Sequence, residues 1–98
     1  MGGSELTALS CASSTSCWAV GFYYRKSGEA NEALYWNGTR WSRVATPEPG
    51  QGAYAHILRG VSCASWVKCW AVGYLFSAPG LSLGQQLLLW NGKKWVAA

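Results

Sequence analysis

The sequence predicts an all-β protein of two four-stranded β-propeller blades, and three observations lead there. The chain repeats itself: Leu6-Thr7-Ala8-Leu9-Ser10-Cys11-Ala12-Ser13 returns as Leu58-Arg59-Gly60-Val61-Ser62-Cys63-Ala64-Ser65, and Cys17-Trp18-Ala19-Val20-Gly21 returns as Cys69-Trp70-Ala71-Val72-Gly73, both 52 residues later. Trp36-Asn37-Gly38 with Trp41 returns as Trp90-Asn91-Gly92 with Trp95, 54 residues later, so the second copy has two extra residues between its second and third motifs. Each copy divides into four short β-like segments, and no stretch of useful length carries a helical period. A four-stranded repeat of roughly 40–50 residues is the period of a propeller blade.

In chain order, Leu6–Cys11 reads as the first strand, with Leu6, Ala8 and Ser10 alternating onto one face. Trp18 to about Tyr24 is an apolar second strand containing the small residues Ala19 and Gly21. Ala33–Trp36 and Trp41 to about Ala45 are the third and fourth, joined through Asn37-Gly38, a hairpin signal between apolar runs. Thr46-Pro47-Glu48-Pro49-Gly50-Gln51-Gly52 is rich in chain breakers and reads as the connector. The second copy supplies Leu58–Cys63, Trp70–Phe76, Gln86–Trp90 and Trp95–Ala98, with Asn91-Gly92 at the matching turn. Residues 1–4 read as an expression leader, 5–52 as the first blade with its connector, and 53–98 as the second blade.

Ninety-eight residues suffice for two supersecondary units but not for two independent domains. Half are hydrophobic and only 12% are charged, which leaves too little polar surface to coat a chain this small and implies that other copies cover part of it. Two blades cannot close a ring, and each would expose an apolar face and a sheet edge. Cyclic assembly removes both. The expected partner is therefore the chain itself, with a homotrimer of six blades favoured over a homotetramer of eight.

The net charge of +4 comes from scattered basic residues, none in a run longer than two, so no nucleic-acid partner is expected. No apolar run approaches the length of a membrane span, and no membrane partner is expected. No basic start precedes an apolar stretch, so the chain reads as lacking a signal peptide.

The four cysteines fall as Cys11/Cys17 and Cys63/Cys69, each pair bracketing the turn between the first two strands of its copy. Facing cysteines on an antiparallel hairpin come within bonding reach, which predicts Cys11–Cys17 and Cys63–Cys69 disulfides and an exported parent protein. Zinc needs four ligands converging on one point, and the repeat sends the two pairs to different blades, so no metal is expected. Neither is a cofactor.

Aspartate is absent, so a Ser-His-Asp triad cannot be assembled within one chain. The second copy has no Glu, and Glu29 and Glu32 fall in a predicted loop, a poor platform for the fixed carboxylate pair of a glycosidase. These readings point away from an enzyme. His56, the lone histidine, reads as a turn or surface residue. The copies differ most between the second and third strands (Tyr23 to Glu32 against Tyr74 to Gln86) and over Thr46–His56. In an up-and-down blade these connections share one end, opposite the cysteine-bracketed and Asn-Gly turns. Tyr24, Arg25, Glu29, Glu32, Tyr54 and His56 are the candidate ligand contacts there, since binding groups concentrate on such loops.

The order L-x-x-(V/L)-S-C-A-S, C-W-A-V-G, W-N-G-x-x-W resembles the secreted repeat proteins of actinobacteria and related soil bacteria. It is also similar to Asp-box propellers, whose D-G-G-x-x-W turn is replaced here by Asn37 and Asn91. The two-blade length is similar to that of the small fucose-binding lectins that trimerise. That likeness implies Trp41 and Trp95 as sugar-stacking residues, and carbohydrate as the alternative partner. The positions where those lectins carry an Arg and a Glu read Phe22 and Ala33 in the first copy, and Phe76 and Leu87 in the second. The expected function is a non-enzymatic self-assembling module, with a lectin as the alternative.

Overall fold

A computed structural model describes residues 3–26, 28–49, 53–78 and 81–98. It is all-β, with eight strands: β1 (Ser4–Ser13), β2 (Ser16–Tyr23), β3 (Ala30–Trp36), β4 (Trp41–Val44), β5 (Ala55–Ser65), β6 (Lys68–Ala78), β7 (Leu81–Trp90) and β8 (Trp95–Ala97). They form two antiparallel four-stranded sheets in sequence order, β1-β2-β3-β4 and β5-β6-β7-β8. There is no helix among the described residues, and hence none long and apolar enough to cross a membrane.

The registers of the two sheets match over the repeated motifs. Cys11 faces Cys17 and Cys63 faces Cys69. Trp36 faces Trp41, and Trp90 faces Trp95. Each Asn-Gly turn is a four-residue loop in which the Asn carboxamide does the work of a cap. Asn37 Oδ1 accepts from the amides of Thr39 and Arg40 at 2.9 and 3.0 Å, and Asn91 Oδ1 accepts from those of Lys93 and Lys94 at the same distances. The following residue takes a positive φ, 101° at Gly38 and 94° at Gly92, which glycine alone adopts without steric cost.

One expectation for β1 is corrected. The register skips a residue between Leu6 and Ala8, and again between Leu58 and Gly60. The extra residue, Thr7 or Arg59, is a bulge, and a one-residue slip reverses the side-chain faces beyond it. Leu6 therefore points away from the face that carries Ala8 and Ser10. The bulge also explains a repeated glycine. A Cβ on Gly21 would strike the carbonyl oxygen of Glu5, and one on Gly73 that of Ile57.

The sheets also extend beyond the expected segments. The predicted loop from Tyr74 to Gln86 is largely strand, because apolar residues (Leu75, Phe76, Leu81, Leu83) let β6 and β7 run on as a long hairpin. Glu32 lies within β3, and His56 within β5, where it is buried rather than at a surface turn.

The sheets stack face to face. Trp18, Val20 and Ala33 of the first meet Leu58, Cys69, Ala71, Leu88 and Trp95 of the second in one buried cluster. Trp18 anchors it, with ring centroids 4.9 Å from Tyr35, 4.7 Å from Trp90 and 5.0 Å from Trp95, the last edge-on. Polar bonds set the stacking register. Thr7 Oγ1 donates to the Leu58 carbonyl at 2.7 Å, and the Cys63 amide donates to Ser10 Oγ at 3.1 Å. Asn31 and Gln86 exchange two carboxamide bonds, both 2.8 Å.

Both predicted disulfides form, Cys11–Cys17 and Cys63–Cys69, with Cα atoms 3.9 and 4.0 Å apart, as fits an oxidising compartment. Each clamps a short hairpin, and a loop of this size gains about 2 kcal/mol from closure. Thermal unfolding in reductant is expected to fall by roughly 10 °C for each bond lost. A melting temperature unmoved by complete reduction would show that the clamps contribute nothing.

Candidate functional site

Most of the candidate loop contacts lie at one end of the molecule, where they largely fasten it. The segment after β2 meets the connector: the His56 amide donates to the Glu29 carbonyl at 2.9 Å, and Arg25 Nη2 donates to Glu48 Oε1, also at 2.9 Å. The buried His56 ring donates through Nε2 to the Pro49 carbonyl at 2.6 Å, leaving Nδ1 3.7 Å from Glu48. Tyr54 donates its amide to Phe76 and is partly exposed. The Tyr24 hydroxyl donates to Glu5 Oε2 at 2.8 Å; this bond, with desolvation and the charges of Glu5 and Glu29, holds its pKa above the ordinary phenol value. Glu48 organises this corner, although the repeat comparison gave no reason to single it out. Ser27 and Gly50 to Gly52, part of the same expected loops, lie outside the described residues.

Glu32 stands apart from this corner. Its carboxylate lies on the face of the first sheet turned away from the second sheet, where Oε2 accepts from Arg43 Nη2 at 2.7 Å and Arg43 covers the Tyr23 ring. Oε1 is buried with no hydrogen-bond partner among the described residues.

Of the two tryptophans expected as sugar platforms, Trp95 is the buried one. It is 4% exposed beneath Trp18 and offers no ring face, whereas its counterpart Trp41 is 45% exposed. This inequality within an identical motif leads to the larger surface feature of the molecule. The face of the second sheet pressed against the first carries Cys69, Ala71, Leu88 and Trp95. The equivalent face of the first sheet carries Leu9, Ala19, Leu34, Trp36 and Trp41; among the described residues no strand of the second sheet lies on it, and Leu9 and Trp41 are 61% and 45% exposed.

The opposite faces show the same relation. The buried face of the first sheet carries Trp18 and Val20, at 1% and 0% exposure. Their counterparts on the far face of the second sheet, Trp70 and Val72, are 37% and 47% exposed, with Tyr74 and Leu87 beside them. A recess of about 580 Å³ lies on this face among Arg59, Val72, Tyr74, Gln85 and Leu87.

Both uncovered faces are thus apolar and aromatic, each being the chemical counterpart of a face already buried inside the chain. The Trp36–Trp41 pair has ring centroids 5.5 Å apart, against 5.7 Å for Trp90–Trp95, which receives Trp18. Compared with known proteins, the chain matches no family model, no curated protein and no solved structure.

Proposed function

We propose that the chain is a non-enzymatic, self-assembling β-propeller module in which each sheet is one blade and copies stack head to tail into a closed ring. The observation that carries this reading is the pairing of faces: what the first sheet leaves open is what the second sheet buries, and the reverse. A heterologous contact of this kind repeats through every copy until rotation closes the ring. Burying Trp70, Val72, Tyr74 and Leu87 of one copy against Leu9, Leu34, Trp36 and Trp41 of the next removes large apolar side chains from water, at about 1.5–3 kcal/mol for each one fully covered. Three copies are favoured and four come next, giving six or eight blades. The secreted bacterial repeat proteins whose motifs the chain resembles fit this reading and its two disulfides. In the ring Trp41 is covered as Trp95 is, so the lectin reading at these two tryptophans and the assembly reading exclude each other.

Light scattering coupled to size exclusion tests the proposal. The expected mass is three or four times the 10.6 kDa of one chain. A single species of 10.6 kDa at micromolar concentration would overturn it.

A further inference from the structure

We infer that the junction between copies is keyed by Glu32 of one chain received by Gln85 of the next, beside Arg59. The inference rests on the head-to-tail reading above and names the polar contact that sets its register.

Inside the chain, the junction between the sheets is keyed by Asn31 and Gln86, whose carboxamides exchange two bonds of 2.8 Å. The repeat carries each of these to a counterpart. Asn31 pairs with Phe22 in its sheet and Gln85 with Tyr74, the residue 52 later; Gln86 pairs with Gly73 and Glu32 with Gly21. Gln85 thus occupies Asn31's place on the uncovered face of the second sheet, and Glu32 occupies Gln86's place on the uncovered face of the first. Stacking a second copy as the two sheets of one chain are stacked brings Gln85 against Glu32.

Two independent observations support the contact. Glu32 is only 6% exposed, and its Oε1 has no hydrogen-bond partner among the described residues, while Oε2 is held by Arg43. A buried acceptor left unpaired is costly; Oε1 is closed to water within the single chain, so an outward turn of the Glu32 side chain at the junction is what lets the Nε2 donor of Gln85 satisfy it. The receiving recess also holds one guanidinium. Arg59, at the bulge position that Thr7 fills in the first copy, lays its guanidinium over Tyr74 with Cζ 5.9 Å from the ring centroid, and it lines the recess with Gln85. Thr7 already makes the equivalent bond across the internal junction, to the Leu58 carbonyl. The internal amide pair is thus replaced between copies by a carboxylate facing an amide and a guanidinium.

The test compares self-association of the wild type, Gln85→Glu, Glu32→Gln and the double variant, measured by sedimentation over a range of chain concentrations. Residue 85 is exposed, so the first substitution leaves the fold of the chain intact, which circular dichroism checks. Gln85→Glu sets two carboxylates against each other and removes the donor. It is expected to raise the concentration needed for half-assembly roughly 10–100-fold. Glu32→Gln recreates an amide pair and is expected to stay within about threefold of the wild type. The double variant restores an amide–carboxylate pair with its direction reversed and is expected to recover most of the loss. If Gln85→Glu assembles like the wild type, or if the double variant is no better than Gln85→Glu, the contact is wrong even though copies stack. If the wild type itself stays monomeric, the stacking reading fails first.

Discussion

Replacing Trp18 with Ala is expected to unfold the chain at ordinary temperatures. The indole is 1% exposed and touches Tyr35, Trp90 and Trp95, so its removal leaves a cavity spanning the junction between the two sheets. Truncating a buried Trp costs about 3–5 kcal/mol, a large share of the stability open to a domain this small. Denaturant titration followed by tryptophan fluorescence measures the loss. A midpoint shifted by less than the equivalent of about 1 kcal/mol would mean that the sheets do not share one core.

Trp70→Ala makes the comparison informative, because Trp70 holds the same place in the repeat at 37% exposure. Within one chain it lies outside the buried cluster between the sheets, and Lys68 reaches over it with Nζ 5.7 Å from the ring centroid. The stability of the monomeric unit is expected to change little. If copies stack, the same truncation removes the side chain that enters between Trp36 and Trp41 of the next copy, and association is lost instead. If so, two identical motifs divide between folding and assembly.

The pattern of strands, the disulfide partners and the aromatic pairs at the Asn-Gly turns were legible because each appears twice, and a repeat turns a weak local signal into a strong one. Cys11 opposite Cys17 follows from placing two cysteines on either side of a short hairpin. The facing of Leu6 was not legible. Alternation assigns it to the side of Ala8, and only the bulge at Thr7, which no residue type announces, sends it to the other. The bulge left one trace, the repeated Gly21 and Gly73, each facing a backbone carbonyl too near for a Cβ. His56 was hidden for a related reason: a histidine next to a breaker-rich connector reads as exposed, yet its ring is buried with Nε2 bonded to the Pro49 carbonyl. The difference between Trp41 and Trp95 cannot be read from the motif, because it depends on whether another sheet lies on top and not on the residues themselves. Glu32 shows the same limit. Its spacing from Glu29 suggested a loop pair, whereas β3 turns its carboxylate onto the open face, where its partners come from Arg43 and, by the present reading, from another copy.

A mixing experiment with two face-blocked chains separates head-to-tail stacking from every symmetric alternative. Val72→Lys places a charge at the centre of the open face of the second sheet, and Leu9→Lys does so on the open face of the first. Both positions are exposed, at 47% and 61%, so each chain keeps its own core. Burying an unpaired ammonium costs more than one such junction can return. In a heterologous ring each chain retains one sound face, and the sound faces of the two variants are complementary. Light scattering at high chain concentration is expected to show that each variant alone is monomeric and that an equimolar mixture forms a species of two chains and no larger. Assembly of either variant by itself, with the mixture adding nothing, would contradict head-to-tail stacking.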